Sequence, residues 1–328
     1  MLQFAVRRLI LALPLLLGIT VISFFVLHLA PGGPVDSASG EMSADATARV
    51  QLAELYGLDK PIHLQYWSWL RRLVRLDFGQ SFAPDGKPVL TKIGERLPIT
   101  LFLNLLQMSI IIVFSVPIGM LSAVRQYSLY DKVTTMFVFV GFATPDFWLA
   151  LLLMILFGVQ LGWLPISGLR SLNWEYLSFW RAQADFLSHL VLPVLVASFG
   201  GLAGFSRYMR QSMLEVIRQE YIQSARAKGL SEAVVIGKHA ARNAMLPVVT
   251  ILGLSLPGLI GGSVIIESIF AIPGMGQLMV QSVYMRDYPV IMGNLVIVST
   301  ITLLANLLAD ISYGLIDPRI RVGGRRRR

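Results

Sequence analysis

The chain contains no cysteine among its 328 residues, so it forms no disulfide bond and offers no thiolate nucleophile or thiolate metal ligand. Charged residues are scarce, at 14% of the sequence against about 25% in an average soluble domain. No G-x-x-x-x-G-K-[ST] motif is present, which excludes nucleotide binding by that type of phosphate loop. Its four scattered histidines argue against an internal metal site. These absences leave no catalytic constellation and no metal or cofactor to expect in this chain.

Long apolar runs are abundant instead. Hydrophobic residues make up 55% of the sequence and cluster in runs long enough to cross a hydrocarbon core, which takes about 20 helical residues. A soluble helical protein would interrupt such runs with a polar stripe. The pattern therefore predicts an all-α membrane protein with six transmembrane helices: Leu9–Ala30, Ile99–Val124, Val133–Gly162, Phe186–Tyr208, Pro247–Phe270 and Val290–Ile316.

The basic residues predict the orientation of these spans. Lys and Arg accumulate on the cytoplasmic side of a membrane protein, and the net charge here is +9. They concentrate before the first span, in the loops after the second and fourth spans, and after the sixth. Both termini are therefore predicted to be cytoplasmic. The bilayer accounts for the positive charge without nucleic acid, and the Arg325–Arg328 run is interpreted as a solvated tail.

Four regions follow from these spans. Residues 1–30 form the N-terminus and first span, and residues 31–98 an extracytoplasmic segment with interfacial helices. Residues 99–317 form a five-helix core with a cytoplasmic loop at 209–246, and residues 318–328 a basic tail. In the outer segment we expect one helix over Ala44–Tyr56, capped by Gly57, and a second after Pro61. Trp67 and Trp69 of the second helix suit the headgroup layer, and an external partner is the alternative.

The loop from Glu220 to Pro247 is the largest exposed stretch on the basic side. From Met213 onward the sequence predicts two short helices: the first with Leu214, Ile217, Tyr221 and Ala225 on one face, the second capped by Ser231. Gly229 separates them, since a left-handed cap is best accommodated without a Cβ. Leu230 is placed to fold back on the first helix, and Pro247 to mark entry into the fifth span.

Three interpretations of this loop are open. An apolar tip with a basic collar could fill a groove on a soluble partner. A solvated connector that merely follows the positive-inside rule is the plainer alternative. A DNA-binding helix-turn-helix is disfavoured because both ends of the loop are tethered to a membrane.

A few ionisable residues fall within the predicted spans: His28, Asp146, His189, Glu267 and Asp310. A charge at mid-bilayer is costly, so such groups should face protein or a water-filled path. Asp146 follows Thr144-Pro145, where a broken helix would suit a translocation path or a structural contact. Glu267 could meet a cationic cargo, although capping the turn from Ala271 to Gly276 is favoured.

The loop resembles the coupling segment of ATP-binding-cassette (ABC) importer permeases, in the dipeptide/oligopeptide/nickel branch. The resemblance is carried by Tyr221, Ala225 to Ser231, His239-Ala240, Arg242 to Ala244 and Leu246 to Val249. Further motifs extend it over nearly the whole chain: Tyr56 to Pro61, Asp77 to Ser81, Glu95 to Pro98, Leu161 to Pro165, Arg286 to Pro289 and Asp317 to Arg319. The chain departs from the broad Glu-Ala-Ala pattern, with Gln223-Ser224-Ala225 in its place.

This resemblance implies a type I ABC importer transmembrane domain in a bacterial or archaeal cytoplasmic membrane. It implies a second homologous permease, two ABC ATPases that bind ATP and Mg, and an extracytoplasmic binding protein that delivers a short peptide. Nickel chelates and glutathione-like solutes are alternative cargoes, and an ion-coupled secondary transporter is the alternative function. The ATPase-coupling residues implied are Tyr221, Gln223, Ser224, Ala225, Arg226, Ala227, Lys228, Gly229, Leu230 and Ser231.

Overall fold

The computed structural model describes residues 2–29, 54, 57–255, 258 and 262–316. In chain order the helices are α1 (Leu2–Leu29), α2 (Ile62–Val74), α3 (Val89–Val124), α4 (Leu129–Ala143), α5 (Asp146–Leu153), α6 (Phe179–Ile217), α7 (Glu220–Ala227), α8 (Glu232–Val234), α9 (Ala241–Ser255), α10 (Val264–Ile269), α11 (Met275–Tyr284) and α12 (Tyr288–Ile316). Two π-helical segments, Met154–Gln160 and Val235–Ala240, continue α5 and α8. A 3-10 turn covers Trp174–Tyr176. Within these residues the fold is all-α.

The prediction that the chain contains several membrane-spanning helices is confirmed. Four helices among the described residues are long and apolar enough to cross a bilayer: Ile10–Leu29, Val89–Val124, Phe179–Ile217 and Tyr288–Leu308. A fifth span exists if α4 and the helix beginning at Asp146 count together. The predicted fifth span, Pro247–Phe270, includes positions outside the described residues, so the count of six stays a prediction. The same holds for the Ala44–Tyr56 helix, the tail at 318–328 and the side chain of Asp310.

The chain forms two compact units: Met1–Thr100, Ile260–Val264 and Pro273–Arg328 in the first, Leu101–Leu259 and Ile265–Ile272 in the second. In the first unit, α2 packs its apolar face against Phe24 of α1 and Met292 of α12. Trp69 is buried in that cluster at 8% exposure, so its prediction for the headgroup layer is wrong. Trp67 is 52% exposed, so its position in the headgroup layer stays a prediction. Gly57 has φ +67°, the left-handed conformation predicted for a cap.

A short loop in the first unit is fastened to the start of α12. The backbone pairs within the loop, with Ser81 N–H bonded to the Lys87 carbonyl at 3.0 Å. Asp287, which is 2% exposed, accepts hydrogen bonds from the Ser81 hydroxyl and from Phe82 N–H at 3.0 Å. Asp287 also accepts from Val290 N–H in the first turn of α12. One buried carboxylate therefore caps a helix and holds this loop.

The third predicted span is broken rather than straight. Thr144 has extended backbone (φ −90°, ψ 118°), as expected for a residue before proline, and α4 and the helix from Asp146 are inclined by 103°. Pro145 has no N–H to continue the backbone hydrogen bonds of the helix. The sequence located this break, but the single span Val133–Gly162 is corrected to α4 followed by α5 and its π-helical extension.

The second unit places α6, α7 and α9 around one core. Its fully buried side chains include Met209 and Met213 of α6, Ile222 of α7 and Val248 of α9. Helical backbone runs without interruption from residue 232 to 255. The predicted second loop helix is therefore the beginning of the helix that carries Pro247, and Pro247 lies inside α9 rather than at its start.

Candidate functional site

The predicted coupling segment is a compact helical turn at the end of α6. That helix ends at Ile217, and α7 runs from Glu220 to Ala227. Gly229 follows with φ +77°, and its N–H bonds to the Arg226 carbonyl at 2.9 Å. A Cβ at Gly229 would meet nothing within 4 Å, so the glycine is needed for its backbone conformation rather than for space. The predicted left-handed turn is confirmed.

The contact between α7 and the rest of the unit differs from the prediction. Ile222 is fully buried and Ala225 is 8% exposed, whereas Tyr221 is 42% exposed. The predicted face assumed one helical phase from Leu214 to Ala225. Because Arg218 and Gln219 interrupt the helix, the phase restarts and turns Ile222 inward. Tyr221 instead accepts a hydrogen bond from Asn243 Nδ2 at 2.7 Å, which links α7 to α9.

Two further details of the turn are corrected. Leu230 is 41% exposed and does not bury itself against α7. Ser231 occupies the cap position of α8, but its hydroxyl makes no capping bond; its backbone carbonyl accepts from Val234 and Val235 N–H at 3.0 Å. Backbone bonds alone thus start α8.

An ion pair spans the turn on its outer side. Arg226 Nε donates to Glu232 Oε1 at 2.7 Å and Arg226 Nη2 to Glu232 Oε2 at 3.3 Å. The two side chains are 39% and 64% exposed, so the pair contributes at most about 1 kcal/mol to stability. Its two-point geometry instead restricts the angle between α7 and α8 across Gly229.

The outward surface of this segment is available for contact. Besides Tyr221, Arg226 and Gly229, six predicted coupling residues are exposed: Gln223, Ser224, Ala227, Lys228, Leu230 and Ser231. Together with exposed Arg226, they combine apolar, hydroxyl, amide and cationic groups on a rigid turn. Ile222 and Ala225 anchor it from beneath. Such a surface suits docking in a groove of another protein.

A buried ion pair near the coupling segment went unnoticed in the sequence. Asp131, which is 4% exposed, accepts from Arg210 Nε at 2.7 Å and Arg210 Nη2 at 2.9 Å. It also accepts from the Ser122 hydroxyl and from Tyr127 N–H at 2.9 Å. Asp131 therefore ties the end of α3 and the start of α4 to α6, seven residues before α6 ends. The sequence feature that could have indicated this ion pair is an acidic residue in the first turn of an apolar helix.

The two candidate path residues are placed very differently. Asp146 is exposed at the first position of α5, immediately after the bend. Glu267 is 3% exposed within α10. The Glu267 carbonyl accepts from Ile272 N–H at 2.8 Å, and Ala271 in that turn has φ +49°. Burial at this turn agrees with the structural role favoured for Glu267, whereas Asp146 is accessible.

The loop at the opposite end of α6 has its own anchor. Asp185 accepts hydrogen bonds from the hydroxyl and, at 2.9 Å, the N–H of Ser171. The Arg170 guanidinium lies over the ring of Trp174 at 4.5 Å and over that of Phe186 at 5.2 Å.

Among the described residues, no group of three His, Asp or Glu side chains is arranged to hold a metal ion.

Two family models match the chain. The model for binding-protein-dependent transport system inner membrane components covers residues 115–322. The model for the N-terminal part of the same membrane component covers residues 1–104. Together they account for nearly the full length, including α6 to α9 and the coupling segment.

Curated relatives match over their whole length. The oligopeptide transport system permease protein AppB of Bacillus subtilis is 44% identical over 320 residues, covering 98% of this chain and 99% of the relative. The dipeptide permease DppB of Alkalihalophilus pseudofirmus is 36% identical over 338 residues, covering 98% and 100%. The di/tripeptide permease DppB of Pseudomonas aeruginosa is 37% identical over 336 residues, covering 98% and 99%.

The apolar helices, the exposed helical turn at Gly229 and these full-length matches agree on one assignment. The sequence resemblance is thereby confirmed, and the protein is a multi-pass membrane permease. The chain belongs to the family of binding-protein-dependent transport system inner membrane components, the ABC importer permease subunits whose membrane domain is of the type I class.

Proposed function

We propose that this permease forms half of the translocation pathway for short peptides. The support is that relatives at 36–44% identity are named for oligopeptide, dipeptide and di/tripeptide transport. A second homologous permease would form the other half, and an extracytoplasmic binding protein would deliver the cargo. No observation favours an ion-coupled secondary transporter, and nickel or glutathione-type cargo remain alternatives within the family.

The segment Tyr221–Ser231 is proposed to dock on one of two partner ATPases, which would bind ATP and Mg. The observation that carries this proposal is the turn at Gly229, where exposed Ser224, Ala227, Lys228 and Leu230 surround a left-handed backbone anchored by buried Ile222. Because α7 packs on α6 and α9, a force on the turn reaches two long helices directly. Contact must differ between inward-open and outward-open states for ATP hydrolysis to drive transport.

Asp146 is the proposed path-lining residue. It is exposed at a bend of 103°, where non-helical backbone at Thr144 requires protein or water around it rather than lipid. A carboxylate there would attract the amino terminus of a peptide. Glu267 is assigned to the turn after α10 because it is buried. Both termini are proposed to be cytoplasmic, in a bacterial inner membrane.

Gly229→Val tests the coupling proposal. A β-branched residue at φ +77° costs about 1–2 kcal/mol and distorts the turn. We expect the variant to insert and assemble normally but to lose most peptide uptake in proteoliposomes containing the whole transporter and ATP. ATP hydrolysis should no longer respond to the loaded binding protein.

Two control variants make the result specific. Gly229→Asn keeps a residue that tolerates the left-handed conformation and should retain coupling. Gly94→Val tests the same substitution at an exposed helical glycine that meets nothing within 4 Å, and should also retain it. Wild-type uptake by Gly229→Val would refute the coupling role of this turn.

A further inference from the structure

A surface cavity of about 630 Å³, widely open on one side, lies beside the Asp131–Arg210 pair in the second unit. Its polar end is lined by Tyr127, Asp131, Lys132 and Arg210. Its apolar wall includes Met136 and Phe139 of α4, which are 69% and 71% exposed. The coupling segment does not include any of these residues.

The cavity carries an excess of positive charge at one end. Asp131 is neutralised by Arg210, which uses Nε and Nη2 for that pair and keeps Nη1 outside it. Lys132 is exposed, and the ion pairs found among the described residues do not include it. The Tyr127 hydroxyl, on a side chain that is 76% exposed, adds a further donor. An anion with several acceptor oxygens would satisfy this set of donors.

Along α4 the cavity is charged at one end and apolar at the other, as a phospholipid is. Lys132, Met136 and Phe139 are spaced by four and three residues, so they lie on one face of α4. Lys132 is in the first turn of the helix, and Phe139 follows about 10 Å deeper along the axis. A charged end therefore gives way to an apolar groove in the direction of the membrane interior.

We propose that this cavity binds an anionic phospholipid. The phosphate would lie against Lys132, Tyr127 and the free edge of Arg210, and an acyl chain against Met136 and Phe139. Charge complementarity favours this occupant, because the cytoplasmic leaflet is rich in anionic lipid and attracts basic groups at its surface. The apolar wall distinguishes the site from one for free phosphate. The site also lies at the end of α6 that leads into the coupling segment, so the headgroup would steady the helix that receives the ATPase.

Native mass spectrometry of the whole transporter tests the proposal. The complex is purified in detergent and incubated with phosphatidylglycerol or phosphatidylcholine. We expect preferential retention of phosphatidylglycerol, reduced about fivefold in Lys132→Ala, since one Lys near an anionic headgroup contributes about 1 kcal/mol. Lys132→Arg should keep the preference. Lys238→Ala, which removes another exposed lysine outside the cavity, should leave it unchanged.

Three outcomes would overturn the proposal. The first is unchanged phosphatidylglycerol retention in Lys132→Ala, whose folding is reported by its phosphatidylcholine retention. The second is complete displacement of phosphatidylglycerol by inorganic phosphate, which would indicate a phosphate site. The third comes from p-benzoylphenylalanine placed at Phe139 in the assembled transporter: a cross-link to another subunit would show that protein covers this wall, whereas a lipid adduct supports the proposal.

Discussion

At the scale of single residues, the carboxylates that hold separate elements of the chain together are those that accept hydrogen bonds from several donors. Asp131 accepts bonds from Arg210, Ser122 and Tyr127, and Asp287 from Ser81, Phe82 and Val290. Each organises a junction between elements at one end of a helix. Sequence reasoning listed neither as a site because one isolated Asp does not reveal which distant donor it will meet. Arg210 lies 79 positions from Asp131 and Ser81 lies 206 from Asp287.

Asp131→Asn should lower stability strongly. The substitution keeps the shape but leaves the Arg210 guanidinium, whose side chain is 28% exposed, without its counter-charge. Breaking a largely buried pair in this way costs about 3 kcal/mol. The checking measurement is the midpoint of thermal aggregation in detergent, monitored by size-exclusion fluorescence. Asp85→Asn, whose exposed carboxylate pairs with Lys92, should change it little. Equal midpoints for the two variants would contradict the assignment.

Asp287→Ala should release the loop at 77–88 without unfolding the membrane helices. The loop loses two hydrogen bonds to a buried carboxylate, worth about 1.5–3 kcal/mol each. Limited proteolysis of the purified chain is expected to cut the variant within this loop much faster than the unmodified protein. Asp85→Ala, in the same loop but exposed, serves as the matched control. Similar cleavage of both variants would show that Asp287 does not anchor the loop.

At the scale of elements, close approach of helices depends on a few glycines. A Cβ on Gly119 of α3 would lie 2.6 Å from both Met209 Cβ and the Ser206 carbonyl oxygen of α6. The second of these atoms belongs to the backbone and cannot rotate away. Small residues at crossing points are the usual means by which membrane helices pack closely, because lipid supplies no hydrophobic drive between them.

Gly119→Ala should therefore destabilise the protein by about 1–3 kcal/mol through overpacking. Gly94→Ala makes the same change in the same helix, but at a site with nothing within 4 Å. There the better helix propensity of alanine should be neutral or stabilising by up to about 1 kcal/mol. Thermal midpoints of the two variants in detergent provide the comparison. A Gly119→Ala midpoint at or above that of Gly94→Ala would argue against this helix crossing.

The elements that sequence reasoning located are those determined locally. Pro145 fixed the bend after α4, Gly229 the left-handed turn, and Pro61 the start of α2. The π-helical segments at Met154–Gln160 and Val235–Ala240 escaped prediction. In Met154–Gln160, one additional residue in a turn leaves no mark on an apolar pattern that is already hydrophobic on most faces, and the six residues of Val235–Ala240 are too few to show a change of period. Tyr221 was misplaced because the break at Arg218–Gln219 has no glycine or proline to signal it.

At the scale of the whole molecule, the topology proposal can be tested without background labelling, because the chain has no native cysteine. Ala227→Cys and Leu172→Cys place single thiols at exposed positions near the two ends of α6. A membrane-impermeant maleimide added to intact cells should modify position 172 and not 227. In inverted vesicles from cells that lack the partner ATPases, where the cytoplasmic face points outward and position 227 is uncovered, the pattern should reverse. Labelling of both positions from one side would refute the proposed orientation.

The uninterrupted length of α6 has a mechanical consequence. Its 39 residues, with Pro193 among them, correspond to about 58 Å of helix, nearly twice the thickness of a hydrocarbon core, and connect the loop anchored at Asp185 with α7. A tilt of only about 5° around the middle of such a rod would displace each tip by roughly 2.5 Å in opposite directions. A movement at one end of α6 could thus reach the other end through the helix backbone itself, with no relay of side-chain rearrangements between them.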